Sequence, residues 1–216
     1  VRTMTTADKL AQLDAHSARV LRCGGPKAVE KQHALGKRTA RERIELLMDT
    51  GTFTEVDRFV RHRCTAFGMG DKDIPADGVV TGYGTVEGAL VYVYSQDAAV
   101  MGGSVGEMHA KKIENLYGMA MKMGAPVVGL IDCAGLRLQE GLDALNGFGR
   151  LYGCQTLASG VIPQIQAVFG NCGGGMAVAS AMADFTFMED KAKLFVNAPN
   201  AIAENDTDTS SAKFQS

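Results

Sequence analysis

Tryptophan is absent from these 216 residues, and no stretch interleaves aromatic with basic side chains. Nucleic acid is therefore not an expected partner. No apolar run approaches the ~20 residues that a membrane helix needs, so membrane contact is expected only through a partner. The first twenty residues, VRTMTTADKLAQLDAHSARV, lack the apolar core and cleavage site of a secretory leader. The five cysteines, Cys23, Cys64, Cys133, Cys154 and Cys172, are odd in number, scattered and never spaced C-x-x-C. That argues against a zinc ribbon or a redox pair, and a reducing cytoplasm is the compartment expected. His16, His33, His62 and His109 stand too far apart for ligand spacing, so no metal site is expected. No Walker sequence occurs.

What remains is an ordinary globular composition, 46% apolar and 21% charged, long enough for one sizeable α/β domain. The net charge of −2 is unevenly spread. Residues 1–63 hold 13 Lys+Arg against 8 Asp+Glu, and residues 64–216 hold 9 against 16. A basic lobe can meet phosphates or an acidic partner, though such helices more often present solvated faces. Residues 5–23 have helical spacing, and a second short helix is expected near 27–35. Thr39-Ala-Arg-Glu42 is a capping-box pattern opening ARERIELLMD. Residues 1–50 thus read as a helical arm, packed on the main body or on another subunit. A strand at 52–56 and a loop at 64–77 follow. GVVTGYGTV and ALVYVYSQD then form a hairpin across Glu87-Gly88. From there strand and helix alternate: helix 104–123, strand 126–132, helix 139–158, strand 163–169, helix 175–183, then strands 185–189 and 193–196. This order predicts a layered α/β fold over 51–200. The polar tail, 201–216, reads as cut from a longer domain or finished on another chain.

Candidate chemistry clusters at strand-to-helix junctions. In FGNCGGGMAVASAM, Gly173, Gly174 and Gly175 join a buried strand to a small-residue helix. Glycine permits close approach and positive φ, and a helix N-terminus offers N–H donors without intrahelical acceptors. The junction therefore suits an anion, or an oxygen that becomes negative during a reaction. The plainer reading is a tight turn. Gly102-Gly103-Ser104-Val105-Gly106 matches G-x-S-x-G, but no histidine follows His109, so a hydrolase triad cannot be assembled. The run reads instead as a Gly-rich helix start able to line a phosphate or acyl group. A second junction follows Asp132, in Cys133-Ala134-Gly135-Leu136-Arg137-Leu138-Gln139-Glu140. If neighbouring parallel strands carry both junctions to one sheet edge, two backbone N–H groups can converge on one oxygen. A helix cap and a local ion pair would otherwise account for Asp132, Arg137 and Glu140. Cys133 and Cys172 are expected to be packing residues.

The runs SQDAAVMGGSVGEMHAKKIENLYGMAMKMGAPVVGLIDCAGLRLQEG and ASGVIPQIQAVFGNCGGGMAVASAMADFTFME, with GKRTARERIELLMDTGTF upstream, resemble the N-terminal domain of biotin-dependent acyl-CoA carboxyltransferases. That family includes the β subunits of acetyl- and propionyl-CoA carboxylase, methylmalonyl-CoA carboxyltransferase, and the methylmalonyl- and glutaconyl-CoA decarboxylases. The resemblance implies a crotonase-like ββα spiral and an oxyanion hole for the acyl-CoA thioester, with a second hole for biotin. Carried over by motif, the thioester hole falls on Gly135, with Ala134 beside it, and on Gly174 or Gly173; with the Gly-rich run read above, the expected substrate-lining residues are Gly102, Gly103, Ser104, Ala134 and Leu136. The implied reaction removes the α-proton with biotin nitrogen and carboxylates the enolate. Implied partners are an acyl-CoA, a biotin carboxyl carrier protein, and a second carboxyltransferase chain or domain in a homo- or hetero-oligomer. Where the family usually reads D-S-G-G-A-R and C-A-G-G, this chain reads Asp132-Cys-Ala-Gly-Leu-Arg137 and Cys172-Gly-Gly-Gly175. Two other functions stay open: a crotonase-fold hydratase or isomerase with Glu140 as base, and a non-catalytic scaffold subunit of a decarboxylase complex.

Overall fold

The structure, a computed structural model, describes residues 4–197, so the tail at 201–216 lies outside it. Three helices come first: α1 (Thr6–Leu21), α2 (Pro26–Ala34) and α3 (Ala40–Leu47). The strands are β1 (Thr54–Val56), β2 (Val79–Val86), β3 (Ala89–Gln96), β4 (Val127–Cys133), β5 (Gln164–Gly173), β6 (Phe185–Met188) and β7 (Lys193–Phe195). Helix α4 (Glu107–Met123) links β3 to β4, α5 (Leu142–Ala158) links β4 to β5, and α6 (Gly175–Ala181) links β5 to β6.

Among the described residues the strands form one mixed sheet in the order β1-β2-β3-β4-β5-β6, with β7 also beside β5. β1, β2 and β3 pair antiparallel. β3, β4, β5 and β6 pair parallel. The β2–β3 turn is the expected Glu87-Gly88, both at positive φ, as a two-residue hairpin requires. The Asp49 carboxylate accepts both turn N–H groups.

Side chains alternate across the sheet, and each face has its own cover. One face carries Tyr92, Tyr94, Val127, Ile131, Cys133, Val168 and Cys172 against Ala110, Ile113, Leu116 and Tyr117 of α4 and Phe148 and Leu151 of α5. The other carries Val91, Val93, Val128 and Leu130 against Ala40, Ile44 and Met48 from α3 and its end. Eight residues are too few for an independent helix in water. The capping box of Thr39 and Glu42 starts α3, and Ile44, 1% exposed, anchors it. Burying one such side chain is worth about 1.5–3 kcal/mol.

The boundaries that differ most from the sequence reading lie at the glycine junctions. α4 begins at Glu107 rather than 104, because Val105 forms a parallel bridge with Leu136 and Ser104–Gly106 stays extended. α5 begins at Leu142, after a single helical turn at Leu138–Glu140. β5 runs on to Gly173, so the first glycine of the Gly-rich run still belongs to the strand. The 64–77 loop contains a turn at Pro75–Gly78 in which Ala76 and Asp77 hold φ near +50°.

Candidate active site

The two glycine junctions lie side by side. β4 and β5 are parallel neighbours, and Cys133 is the register partner of Cys172. Both strands therefore end at the same sheet edge, where open α/β sheets place ligands. The corners touch: a Cβ built on Gly135 would lie 3.4 Å from the Gly173 carbonyl oxygen, and one on Gly173 would lie 3.3 Å from that of Ala134. Gly135 has φ +107°, and Gly174 has φ 60° with ψ −129°, conformations that side chains resist.

Hydrogen bonding decides which amides remain available. The Gly135 N–H points back at the Cys133 sulfur, 3.2 Å away. The Gly174 N–H donates to the Phe195 carbonyl at 2.9 Å, a bond made by β7. Releasing a bond of this kind costs about 1 kcal/mol, so an incoming oxygen takes a free amide first. Free amides stand one residue further on. The Gly135 carbonyl accepts from the Val105 N–H at 2.9 Å. In a trans peptide the N–H points opposite to the C=O, so the Leu136 N–H faces away from Val105. The Gly174 carbonyl accepts from the Ala177 N–H at 3.1 Å, along α6. The Gly175 N–H therefore points out of the helix N-terminus. Neither the Leu136 nor the Gly175 N–H has a partner among the described residues.

The other residues singled out from the sequence fall into three places. Ala134 and Gly102 are exposed, and a Cβ on Gly102 would lie 3.3 Å from the Ala134 Cβ, so both rim the corner. Gly103 and Ser104 lie behind it. A Cβ on Gly103 would meet the Asp132 carbonyl oxygen at 2.1 Å, and Ser104 is 7% exposed. The Gly102–Gly106 run is not the helix start expected: Ser104 Oγ accepts from Arg137 Nε at 3.4 Å, and the first N–H of α4, that of Glu107, donates to Glu140 Oε2 at 2.6 Å. Glu140 thus caps a different helix from the one it precedes in sequence. Its other oxygen, Oε1, accepts from Arg137 Nη1 at 2.9 Å, the local ion pair expected.

Asp132 is on the opposite face of the sheet from the α4 and α5 cover. It shares that face with Val128 and Leu130 and pairs with Arg43 Nη2 at 2.9 Å and Lys37 Nζ at 3.1 Å. Arg43 also lies 4.9 Å from the Phe169 ring centroid. Asp132 is therefore a bolt between β4 and the α3 layer, neither a cap nor a base. Cys133 and Cys172 are fully buried, as expected of packing residues, and burial pushes the Cys133 thiol up to about 12.

Sequence reasoning missed Asp77 and the part His109 plays. Asp77 is fully buried and takes Arg137 Nη1 at 2.5 Å. Burial raises its carboxyl above the usual range, while the guanidinium opposes that shift. His109 is also fully buried; burial holds it well below its ordinary pKa, and its Nδ1 lies 2.9 Å from the Asp77 carbonyl oxygen. In the sequence, Ile-Pro-Ala-Asp-Gly signals only a turn.

Known proteins resemble this chain in sequence and in overall fold. The chain is 51% identical over 197 residues to the methylmalonyl-CoA decarboxylase subunit alpha of Propionigenium modestum, covering 91% of this chain and 38% of that one. It is 50% identical to the propionyl-CoA carboxylase beta chain of Roseobacter denitrificans, over 90% and 38% of the two chains. The crystal structure of transcarboxylase 12S, described as a hexamer with methylmalonyl-CoA and methylmalonic acid bound, superposes with a TM-score of 0.91 at 41% identity, over 94% of this chain and 40% of that one. The mixed sheet is thus the crotonase-like fold that the sequence resemblance implied. The chain spans about two fifths of the length of these relatives. With residues 31–213 matching the carboxyl transferase domain, the chain belongs to the carboxyl transferase domain family.

Proposed function

We propose that this chain binds an acyl-CoA and stabilises the enolate of its thioester during carboxyl transfer to or from biotin. It would act as the N-terminal half, or a split subunit, of a biotin-dependent carboxyltransferase or decarboxylase. The observation that carries this reading is the pair of unpartnered amides, Leu136 N–H and Gly175 N–H, on corners that touch at Gly135 and Gly173. Removing the α-proton of a thioester places negative charge on its carbonyl oxygen. Fixed donors aimed at that oxygen favour the enolate over the neutral thioester, which is what lowers a barrier. One such donor is worth about 2.7–4 kcal/mol. On this reading Gly135, Gly173 and Gly174 shape the hole, Leu136 and Gly175 supply its donors, and Gly102 and Ala134 rim it. Gly103 and Ser104 support it from behind.

The proton needs an acceptor, and the carboxylates and the histidine of this part of the chain are already engaged. Glu140 has both oxygens hydrogen-bonded, Asp132 is paired on the far face, and His109 is buried. The base therefore comes from outside these residues. Biotin on a separate carrier protein or domain would supply or accept the carboxyl group. One converging amide pair is assigned to the thioester, and no described residue is assigned to the biotin ring. We place the ring's site on a second carboxyltransferase chain or domain, in a homo- or hetero-oligomer.

The occupied Glu140 also weighs against a hydratase or isomerase, which needs a free carboxylate beside the hole. A scaffold subunit needs no affinity for CoA at all. Calorimetry, with turnover of a malonyl-type CoA for decarboxylation and of an enoyl-CoA for hydration or isomerisation, separates the three. The expected result is acyl-CoA binding, no hydration or isomerisation, and decarboxylation only with biotin and a second carboxyltransferase chain present. Hydration or isomerisation by the chain alone, or no CoA affinity, would overturn the proposal.

A further inference from the structure

Arg137 is among the largest fully buried side chains, with none of its side chain exposed, and it directly follows the Leu136 donor. Its guanidinium is saturated. Nη1 donates to Asp77 Oδ1 at 2.5 Å and to Glu140 Oε1 at 2.9 Å. Nη2 donates to the Ser104 carbonyl at 2.9 Å and the Asp77 carbonyl at 3.2 Å. Two carboxylates against one guanidinium would leave surplus negative charge. Lys112, 2% exposed, adds a second cation, with Nζ donating to the Ala76 and Val79 carbonyls. A buried cluster of this kind contributes little net stability and can reduce it. Its place beside the donor has a geometric consequence instead.

The Arg137 N–H donates to the Val105 carbonyl at 2.9 Å, and the Val105 N–H donates to the Gly135 carbonyl at 2.9 Å. The guanidinium meanwhile grips the carbonyl of Ser104, the residue before Val105. Side chain and backbone of one arginine thus hold two consecutive peptide groups, and those fix the carbonyl whose own peptide carries the Leu136 N–H. Gly106 leaves room for this arrangement: a Cβ there would lie 2.5 Å from Glu140 Oε1 and 2.6 Å from Arg137 Nη1.

We propose that Arg137 is a positioning residue that locks Ser104–Val105 beside Gly135–Leu136 and so aims the Leu136 N–H at the oxygen that Gly175 also faces. The inference rests on the oxyanion reading above. It gives the G-x-S-x-G run a purpose as a clamp, with Ser104 a hydrogen-bond acceptor and no nucleophile.

The test uses backbone amide spectra of the 216-residue chain with propionyl-CoA and with S-propyl-CoA, which lacks the carbonyl oxygen. Arg137→Lys keeps the charge and removes the fork. The expected result is that Gly175 still responds to propionyl-CoA alone, while the Leu136 response falls to less than half that of the unaltered chain. Gly106→Ala retains every charge and places its Cβ first against the tips of Glu140 and Arg137; it is the second variant should Arg137→Lys fail to fold, with the same selective loss expected. A purely structural role would weaken both amides together. Equal loss at both, or an undiminished Leu136 response in a folded variant, overturns the proposal. Should neither amide of the unaltered chain distinguish the two compounds, the oxyanion reading itself fails, and this inference with it.

Discussion

At the corner after β4, the free amide is aimed by a neighbouring extended segment: Val105 holds the Gly135 carbonyl, and Arg137 holds Val105. At the corner after β5, the free amide is aimed by a helix: α6 draws the Gly174 carbonyl along its axis, and β7 takes the Gly174 N–H. One corner depends on a buried charge cluster far apart in sequence, Asp77, Arg137 and Glu140. The other depends on local helix geometry and one strand bond. Similar donors are reached by different means, so the two corners should fail in different ways.

The largest effect should come at the helix-built corner. Gly174→Val forces a β-branched residue to φ 60° and ψ −129°, although nothing lies within 4 Å of its Cβ. The expected cost is about 1–3 kcal/mol, all of it backbone strain, read from a denaturant melt. A variant as stable as the unaltered chain would show that the turn adopts another conformation. A smaller effect is expected from Tyr152→Phe, which removes the bond from the Tyr152 hydroxyl to the Gly175 carbonyl at 2.8 Å. Stability should fall by about 1 kcal/mol or less, with the Leu136 amide unmoved. A shift at Leu136 would mean that the corners are mechanically coupled. The smallest effect belongs to the strand-built corner. Cys133→Ser substitutes a stronger acceptor for the sulfur that receives the Gly135 N–H at 3.2 Å. Stability should change by less than ~1 kcal/mol, and the Gly135 amide should move downfield. An unmoved Gly135 resonance would remove Cys133 from the account of that corner.

Much of the fold was legible because it is carried by periodicity. The helical spacing of Ile113, Leu116 and Ala120 marks α4, and the apolar run Val127–Ile131 marks β4. The convergence of the glycine corners followed from parallel order. What was not legible is which amide stays free. That depends on Phe195, which lies two strands further along the chain, and on Val105, a residue between glycines with no signal of its own. The orientation of Asp132 was within reach: it shares the period-two set of Val128 and Leu130, which places it on the α3 face, away from the corners. The burial of Asp77 and Arg137 was not, because charged residues at a turn ordinarily read as solvated.

The central claim is that Leu136 and Gly175 point their amides at one thioester oxygen. Amide chemical shifts of the chain, titrated in parallel with propionyl-CoA and S-propyl-CoA, test it most directly. The account predicts downfield shifts of both amides with the thioester and of neither with the thioether. Shifts confined to other residues, or a response of Gly135 and Gly174 in their place, would contradict it.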